Sequence, residues 1–286
     1  MVGIALNFVF VVVEFLAGFL SNSLALVADA GHNLSDVASL ALALGALKLL
    51  TIKATEKFTY GYRKASILIS LLNAIILLVA VGSIGYESIY RFISPQPVRS
   101  AVIVWVASIG IVINTLSALL FFRDKESDLN IKGAYLHLVV DALVSAGVVV
   151  SGIVISYTKW YWIDPAISIV IMIIIIVGMW SLLWDSLSLS MDAVPKNIEI
   201  DAVRKAALKL SGIKDIHHIH VWAISTAENA LTAHLVFNEP ITHEEVSDLK
   251  SKFKAQLKHL GIQHATLETD LAERSEDDCG NTEMTN

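Results

Sequence analysis

The sequence predicts a polytopic α-helical membrane protein of six transmembrane helices, followed by a C-terminal cytoplasmic α+β domain of the ferredoxin-like kind. Three observations carry this reading. The 286-residue chain is 55% hydrophobic and only 17% charged, where ordinary soluble domains carry about a quarter charged residues. The charge is also unevenly placed. Through Leu189 there are 11 basic and 11 acidic residues, and from Ser190 onward 10 and 16, so the net charge of −6 falls in the last third. Finally, apolar runs of membrane length fill the first two thirds, whereas short amphipathic segments follow. The division is a six-span membrane domain at 1–190, a soluble domain at 195–270 and an acidic tail at 271–286, the tail expected to be disordered. There is no basic surplus to attract nucleic acid. The single cysteine, Cys279, excludes a disulfide framework. No Lys or Arg precedes Lys48, so the first apolar run reads as a span, not as a signal peptide.

The first span covers residues 2–21 and carries Glu14. Ser21-Asn22-Ser23 is a minimal turn into the second span, which ends near Leu50. Residues 65–86 and 101–122 are uncharged and form the third and fourth. The fifth runs from about Gly133 to Thr158 and the sixth from Pro165 to Trp184. Asp164-Pro165 is a helix-start signal, and Trp160, Tyr161 and Trp162 before it suit an interfacial aromatic belt. Lys48, Lys53, Lys57, Arg63 and Lys64 lie on one side together with Arg123, Lys125 and Lys132. Arg91, Arg99 and Lys159 lie on the other. The positive-inside rule then puts both termini in the cytoplasm, in the inner (plasma) membrane of the cell.

Two of these spans carry ionisable groups at membrane depth, which are costly there without a partner or a task. In the second span Asp29, His32 and Asp36 are spaced by three and four residues, one stripe of a helix. In the fifth, His137 and Asp141 repeat the His-x-x-x-Asp spacing. The two spans are antiparallel, so facing helices set His32 level with Asp141 and Asp36 level with His137. Two imidazoles and two carboxylates make a tetrahedral shell suited to Zn²⁺. A histidine must lose its proton to bind metal, so metal and protons compete for this one site. Asp29 is a candidate proton relay, and Glu14 a candidate lining of the same cavity.

From Pro195 the pattern is α-β-β-α-β: a helix at 198–210, strands at Ile213–Ser225 and Asn229–Phe237, a helix at His243–Leu260 stopped by Gly261, and a strand at Ile262–Asp270. Seven of the nine histidines fall here. The run His217-His218-Ile219-His220, with His234 on the hairpin partner, suggests a second metal site that Glu268 and Asp270 could complete. His220 is open between a ligand and a packed histidine, and His243, His259 and His264 read as ordinary surface residues.

Taken together, Ser23-Leu-Ala-Leu-Val-Ala-Asp-Ala-Gly-His-Asn-Leu-Ser-Asp36, His137-Leu-Val-Val-Asp141, Asp164-Pro165 and His217-His-Ile-His-Val-Trp222 resemble the cation diffusion facilitator family, in its bacterial zinc-transporting branch. The resemblance spans essentially the whole chain. It implies a homodimer, a cytoplasmic domain that dimerises and binds metal, and exchange of Zn²⁺ for protons. Carried over by position, it implies a transport site of His32, Asp36, His137 and Asp141, and a cytoplasmic site of His217, His234 and Asp270 with Glu268. Thr55–Tyr62 holds no histidine, so a further site that some members carry there is expected to be absent. Histidine on both helices favours Zn²⁺ over Mn²⁺, with Cd²⁺ and Co²⁺ as secondary substrates. The expected function is therefore transport without an enzymatic step. An intramembrane metalloenzyme or a membrane-bound metal sensor are the alternatives.

Overall fold

The structure is a computed structural model and describes residues 2–50, 52–122, 129–238 and 241–270. The acidic tail at 271–286 and most of the basic 123–132 connection lie outside the described residues. The chain divides into two compact units: residues 1–47 with 69–184, and residues 48–68 with the chain from 185 onward.

The first unit is built from six helices: α1 (Val2–Ser21), α2 (Leu24–Leu50), α3 (Ala65–Ile93), α4 (Ser100–Phe121), α5 (Leu129–Thr158) and α6 (Ile163–Ser190). Among the described residues, α3 to α6 are each long and apolar enough to cross a membrane. The helices outrun the apolar runs. α3 continues to Ile93, with Glu87 and Arg91 paired at 2.7 Å on its last turns, and α6 continues past Asp185. Hydropathy marks where a bilayer would end, whereas backbone hydrogen bonding decides where a helix ends. α5 begins at Leu129, a turn before the expected Gly133.

The α1–α2 turn places Asn22 in the left-handed region (φ 61°), a conformation that Asn tolerates better than most residues. Ser23 then caps α2, its Oγ accepting from Leu26 N at 3.2 Å. Asp164, expected only to start the sixth helix, also caps the second. Its carboxylate accepts from the Ser23 hydroxyl and, at 2.7 Å, from Leu24 N. This buried contact fixes the start of α2 against α6, and with it the height of every side chain on α2. α4 packs along α5 and against α1. Gly110 permits the close approach, since a Cβ there would sit 3.1 Å from Phe10 Cζ and 3.3 Å from Ser145 Oγ.

The second unit contains α7 (Ile200–Leu208), β1 (Ile213–Ala223), β2 (Asn229–Phe237), α8 (His243–His259) and β3 (His264–Asp270). The sheet order is β1-β2-β3, with β1 antiparallel and β3 parallel to β2. The parallel pair needs a crossover, and α8 supplies it. Two helices over one sheet give the expected ferredoxin-like two-layer arrangement. Its core is formed by Ile216, Val221, Leu231, Leu235, Phe253, Leu257 and Ile262.

α8 is closed at both ends by local chemistry. Thr242 Oγ1 accepts from Glu245 N at 3.3 Å, and Glu245 returns a carboxylate to Thr242 N at 2.9 Å, a capping box. The Thr242 side-chain hydrogen bond, then its backbone N–H, hold the Glu245 carboxyl below its ordinary value. At the other end Gly261 (φ 82°) lets Ile262 N reach back to Leu257 O at 2.9 Å. Residues 48–68, expected to be a plain connection, fold with this unit. Arg63 pairs with Glu228, Lys64 pairs with Asp192, and Ser66 Oγ accepts from Thr226 N at 3.2 Å.

Candidate metal centres

In the first unit the four expected residues of α2 and α5 meet crosswise. His32 Nε2 lies 3.0 Å from Asp141 Oδ1, and His137 Nε2 lies 3.3 Å from Asp36 Oδ2 and 3.6 Å from Asp141 Oδ2. The helical i,i+4 spacing delivers each pair from one face, and the antiparallel arrangement brings the two faces together. Donor atoms of His32, Asp36 and Asp141 all lie within 4.8 Å of one another. His137 joins through the two carboxylates, with its ring centroid 6.1 Å from that of His32. With ligand bonds of about 2.0–2.1 Å, the edge of a tetrahedral zinc shell is about 3.3 Å. The three contacts bracket that length.

Exposure is graded across the cluster. Side chains are 5% exposed at Asp141 and 13% at His32, but 35% at Asp36 and 47% at His137. Exposure therefore rises along α2 from His32 to Asp36, and back along α5 from Asp141 to His137.

Asp29 stands outside this donor set. It is buried, and Ser145 Oγ on α5 donates to its Oδ2 at 3.0 Å. Glu14 is buried too, and Asn33 Nδ2 on α2 donates to its Oε2 at 2.9 Å. Neither Ser145 nor Asn33 was singled out by the sequence. Ser145 extends the stripe of His137 and Asp141 by one more turn, and Asn33 lies four residues after Asp29, so continuing each stripe at helical spacing would have found them.

The second cluster lies in the second unit and rests on strand register. His217 pairs with His234 across β1 and β2, and His234 with Glu268 across β2 and β3. Asp270 Oδ2 lies 3.1 Å from His217 Nε2 and 2.9 Å from His234 Nδ1. Glu268 stands further off, 3.6 Å from His234 Nε2 with its side chain 70% exposed. The set His217, His234 and Asp270 has its donor atoms within 4.8 Å of one another. Two imidazoles and a carboxylate fit a zinc ion with one or more further ligands.

His218 belongs to the histidine run that suggested this site but not to the expected ligand set, and regular strand alternation would send it to the face opposite His217. A β-bulge between His217 and His220, with His218 at φ 49°, reverses that. The His218 ring centroid lies 5.2 Å from that of His234, and that of His217 lies 5.3 Å from it. His220, His243, His259 and His264 are exposed, so His220 is not a packed core histidine.

Comparison with known proteins gives consistent results over nearly the whole chain. Residues 1–189 match the cation efflux transmembrane domain, and residues 195–270 match the cytoplasmic domain of cation efflux proteins. The cadmium, cobalt and zinc/H(+)-K(+) antiporter of Bacillus subtilis is 35% identical over 94% of this chain and 87% of its own length. The metal cation efflux system protein CzcD of Cupriavidus metallidurans is 34% identical over 95% of this chain and 85% of its own. The zinc transporter ZitB of Escherichia coli is 33% identical over 94% of this chain and 86% of its own.

Proposed function

This chain belongs to the cation efflux (cation diffusion facilitator) family, a multi-pass membrane transporter rather than an enzyme, and from that premise we propose that it exports Zn²⁺ from the cytoplasm in exchange for protons. Cd²⁺ and Co²⁺ are proposed as further substrates, in keeping with the names of its relatives. His32, Asp36, His137 and Asp141 are the proposed transport site. The observation that carries the assignment is the crosswise set of contacts at 3.0, 3.3 and 3.6 Å between imidazole nitrogens and carboxylate oxygens. These spacings suit a tetrahedral metal, and the same pairs are satisfied by protons when no metal is bound. Metal and proton are thus alternative bridges between the same atoms, which supports exchange of one for the other.

The graded exposure supports a direction for this proposed site. Its more exposed members lie toward the end of α2 and the start of α5, the side that carries eight basic residues, which the positive-inside rule assigns to the cytoplasm. The described conformation is read as ready to load metal from inside. The inner (plasma) membrane, with both termini cytoplasmic, is the corresponding location. The match to a cytoplasmic domain of dimerising type supports a homodimer. His217, His234 and Asp270, with Glu268 at the margin, are proposed to hold a resident zinc ion that orders that domain. Four protein ligands in the membrane cluster leave no open water position, and relatives matched over nearly the whole chain are named as transporters, so the metalloenzyme alternative falls.

The test is zinc X-ray absorption on the purified protein carrying Asp270→Ala, which removes the second cluster. A four-coordinate shell of nitrogen and oxygen is expected. A six-coordinate oxygen shell would overturn the site assignment.

A further inference from the structure

At the helix ends opposite the basic 48–64 connection, the α1–α2 turn is tied to its neighbours on two sides. Arg91, on the last turns of α3, donates from Nη1 to Asn22 O at 3.0 Å and to Asn22 Oδ1 at 2.7 Å. Its Nε donates to Glu87 Oε1 at 2.7 Å, so two edges of the planar guanidinium are held at once. Asn22 Nδ2 donates to Pro97 O at 3.2 Å, and Arg99 N donates to Ser21 O at 3.0 Å. The turn is thereby clasped by α3 and by the α3–α4 connection. On its other side, the Ser23 hydroxyl and Leu24 N donate to Asp164 of α6.

The two sides differ in how readily they part. Asp164 is 1% exposed, so its carboxylate would lose these donors with no water to replace them. Asn22 is exposed and the Arg91 side chain is 19% exposed, so water can take over their hydrogen bonds at small net cost. One contact suits a fixed anchor, and the other a clasp that opens and closes. Arg91 also stands on the side where the positive-inside rule disfavours cations, and the clasp gives it a task there.

We infer that Arg91 and Asn22 form the releasable latch of an outer gate, with the Asp164 contact as its fixed side. The inference rests on the transport reading above, in which metal loads from inside. A carrier of that kind keeps its far end shut while it loads and opens that end to release. With the latch closed, the chain around the turn is sealed: Ser21, at the end of α1, and Ala28, one turn into α2, are each 1% exposed. Parting Arg91 from Asn22 frees the turn from α3 and uncovers both.

Thiol labelling of the whole chain in lipid nanodiscs, zinc-free and with Cys279→Ser removing the native thiol, tests the latch. Ser21→Cys and Ala28→Cys are the reporters, one at a time, and a maleimide is the probe. Both are expected to react slowly. Arg91→Gln should raise both rates by about two- to tenfold, the factor that loss of one net hydrogen bond permits. Arg91→Lys, which keeps a donor, should bring them part of the way back. Unchanged rates in Arg91→Gln overturn the latch. A rise at Ser21→Cys alone also overturns it, because a frayed turn would do that without opening α2. Equal rises with Gln and Lys overturn it too, since lost packing and not a lost donor would then be the cause. Labelling requires no flux, so a wild type that carries no zinc would remove the transport reading while these rates still decide the latch.

Discussion

The two histidine–carboxylate clusters use the same side chains and differ in how the backbone delivers them. The first takes two residues from each of two helices, and its deepest member, Asp141, is 5% exposed at the side chain. The second takes one or two residues from each of three strands, and its members are 20% to 70% exposed. Helical delivery needs no break in backbone hydrogen bonding, which a bilayer would penalise. Strand delivery uses a bulge at His218 that water tolerates. The exposures of the two ligand sets overlap, so the proposal of exchange at the first and a resident ion at the second rests on the first lying between two long apolar helices, where an unbalanced charge is costly.

The largest expected effect follows from that contrast. Asp141→Ala removes the carboxylate contacted by both histidines, and zinc flux should fall by at least about 100-fold, the upper end of what loss of even an outer-shell partner costs. Flux within a few-fold of wild type would place the pathway elsewhere. Asp270→Ala is the matched change in the second cluster. Zinc at about 100 times its dissociation constant stabilises a folded unit by about 2.7 kcal/mol, and thermal unfolding should show this gain disappear in the variant while part of the flux remains. Equal loss of flux in both variants would erase the distinction. His218→Ala should weaken zinc binding by less than Asp270→Ala does; a larger loss would make His218 a principal ligand.

Two smaller effects concern the scaffolds that hold the clusters. Ser23→Ala removes the hydroxyl donor to the buried Asp164 carboxylate, and denaturant unfolding should report a loss of about 1–3 kcal/mol. Thr242→Ala removes the α8 cap at a cost of about 1 kcal/mol. The Glu245 part of that cap depends on pH. Its carboxyl is held below the ordinary value of 4.5 in the folded chain, so its stabilisation is present above that value and fades as pH falls through the lowered one. A variant whose acid sensitivity between neutral pH and that range matches wild type at every point would argue that the cap is silent.

How much the sequence revealed follows the same division. The helical cluster was legible because His32 and Asp36, like His137 and Asp141, are local pairs whose spacing alone puts them on one face. The start of α5 was less so: Leu129–Lys132 is too polar for a hydropathy window yet is helical. Asp164 as a cap for α2 was hidden, since Ser23 and Asp164 are far apart in sequence and the short Asp-Pro signal already had a local meaning. In the sheet, His217 opposite His234 followed from hairpin register. His218 did not, because a bulge inserts one residue without leaving a mark that alternation can detect. The folding of residues 48–68 onto the second unit depends on Arg63 finding Glu228, a pairing that composition cannot specify. The Glu14–Asn33 hydrogen bond required knowing that α1 and α2 turn back on each other through Asn22.

The α2–α5 cluster is proposed to exchange metal for protons. Zinc flux into sealed vesicles under an imposed pH gradient, with wild type and His137→Ala compared side by side, tests it most directly. Wild-type flux is expected to reverse when the gradient is reversed, and the variant is expected to show none above background. Flux in wild type that ignores the gradient, or persists undiminished in His137→Ala, would contradict it.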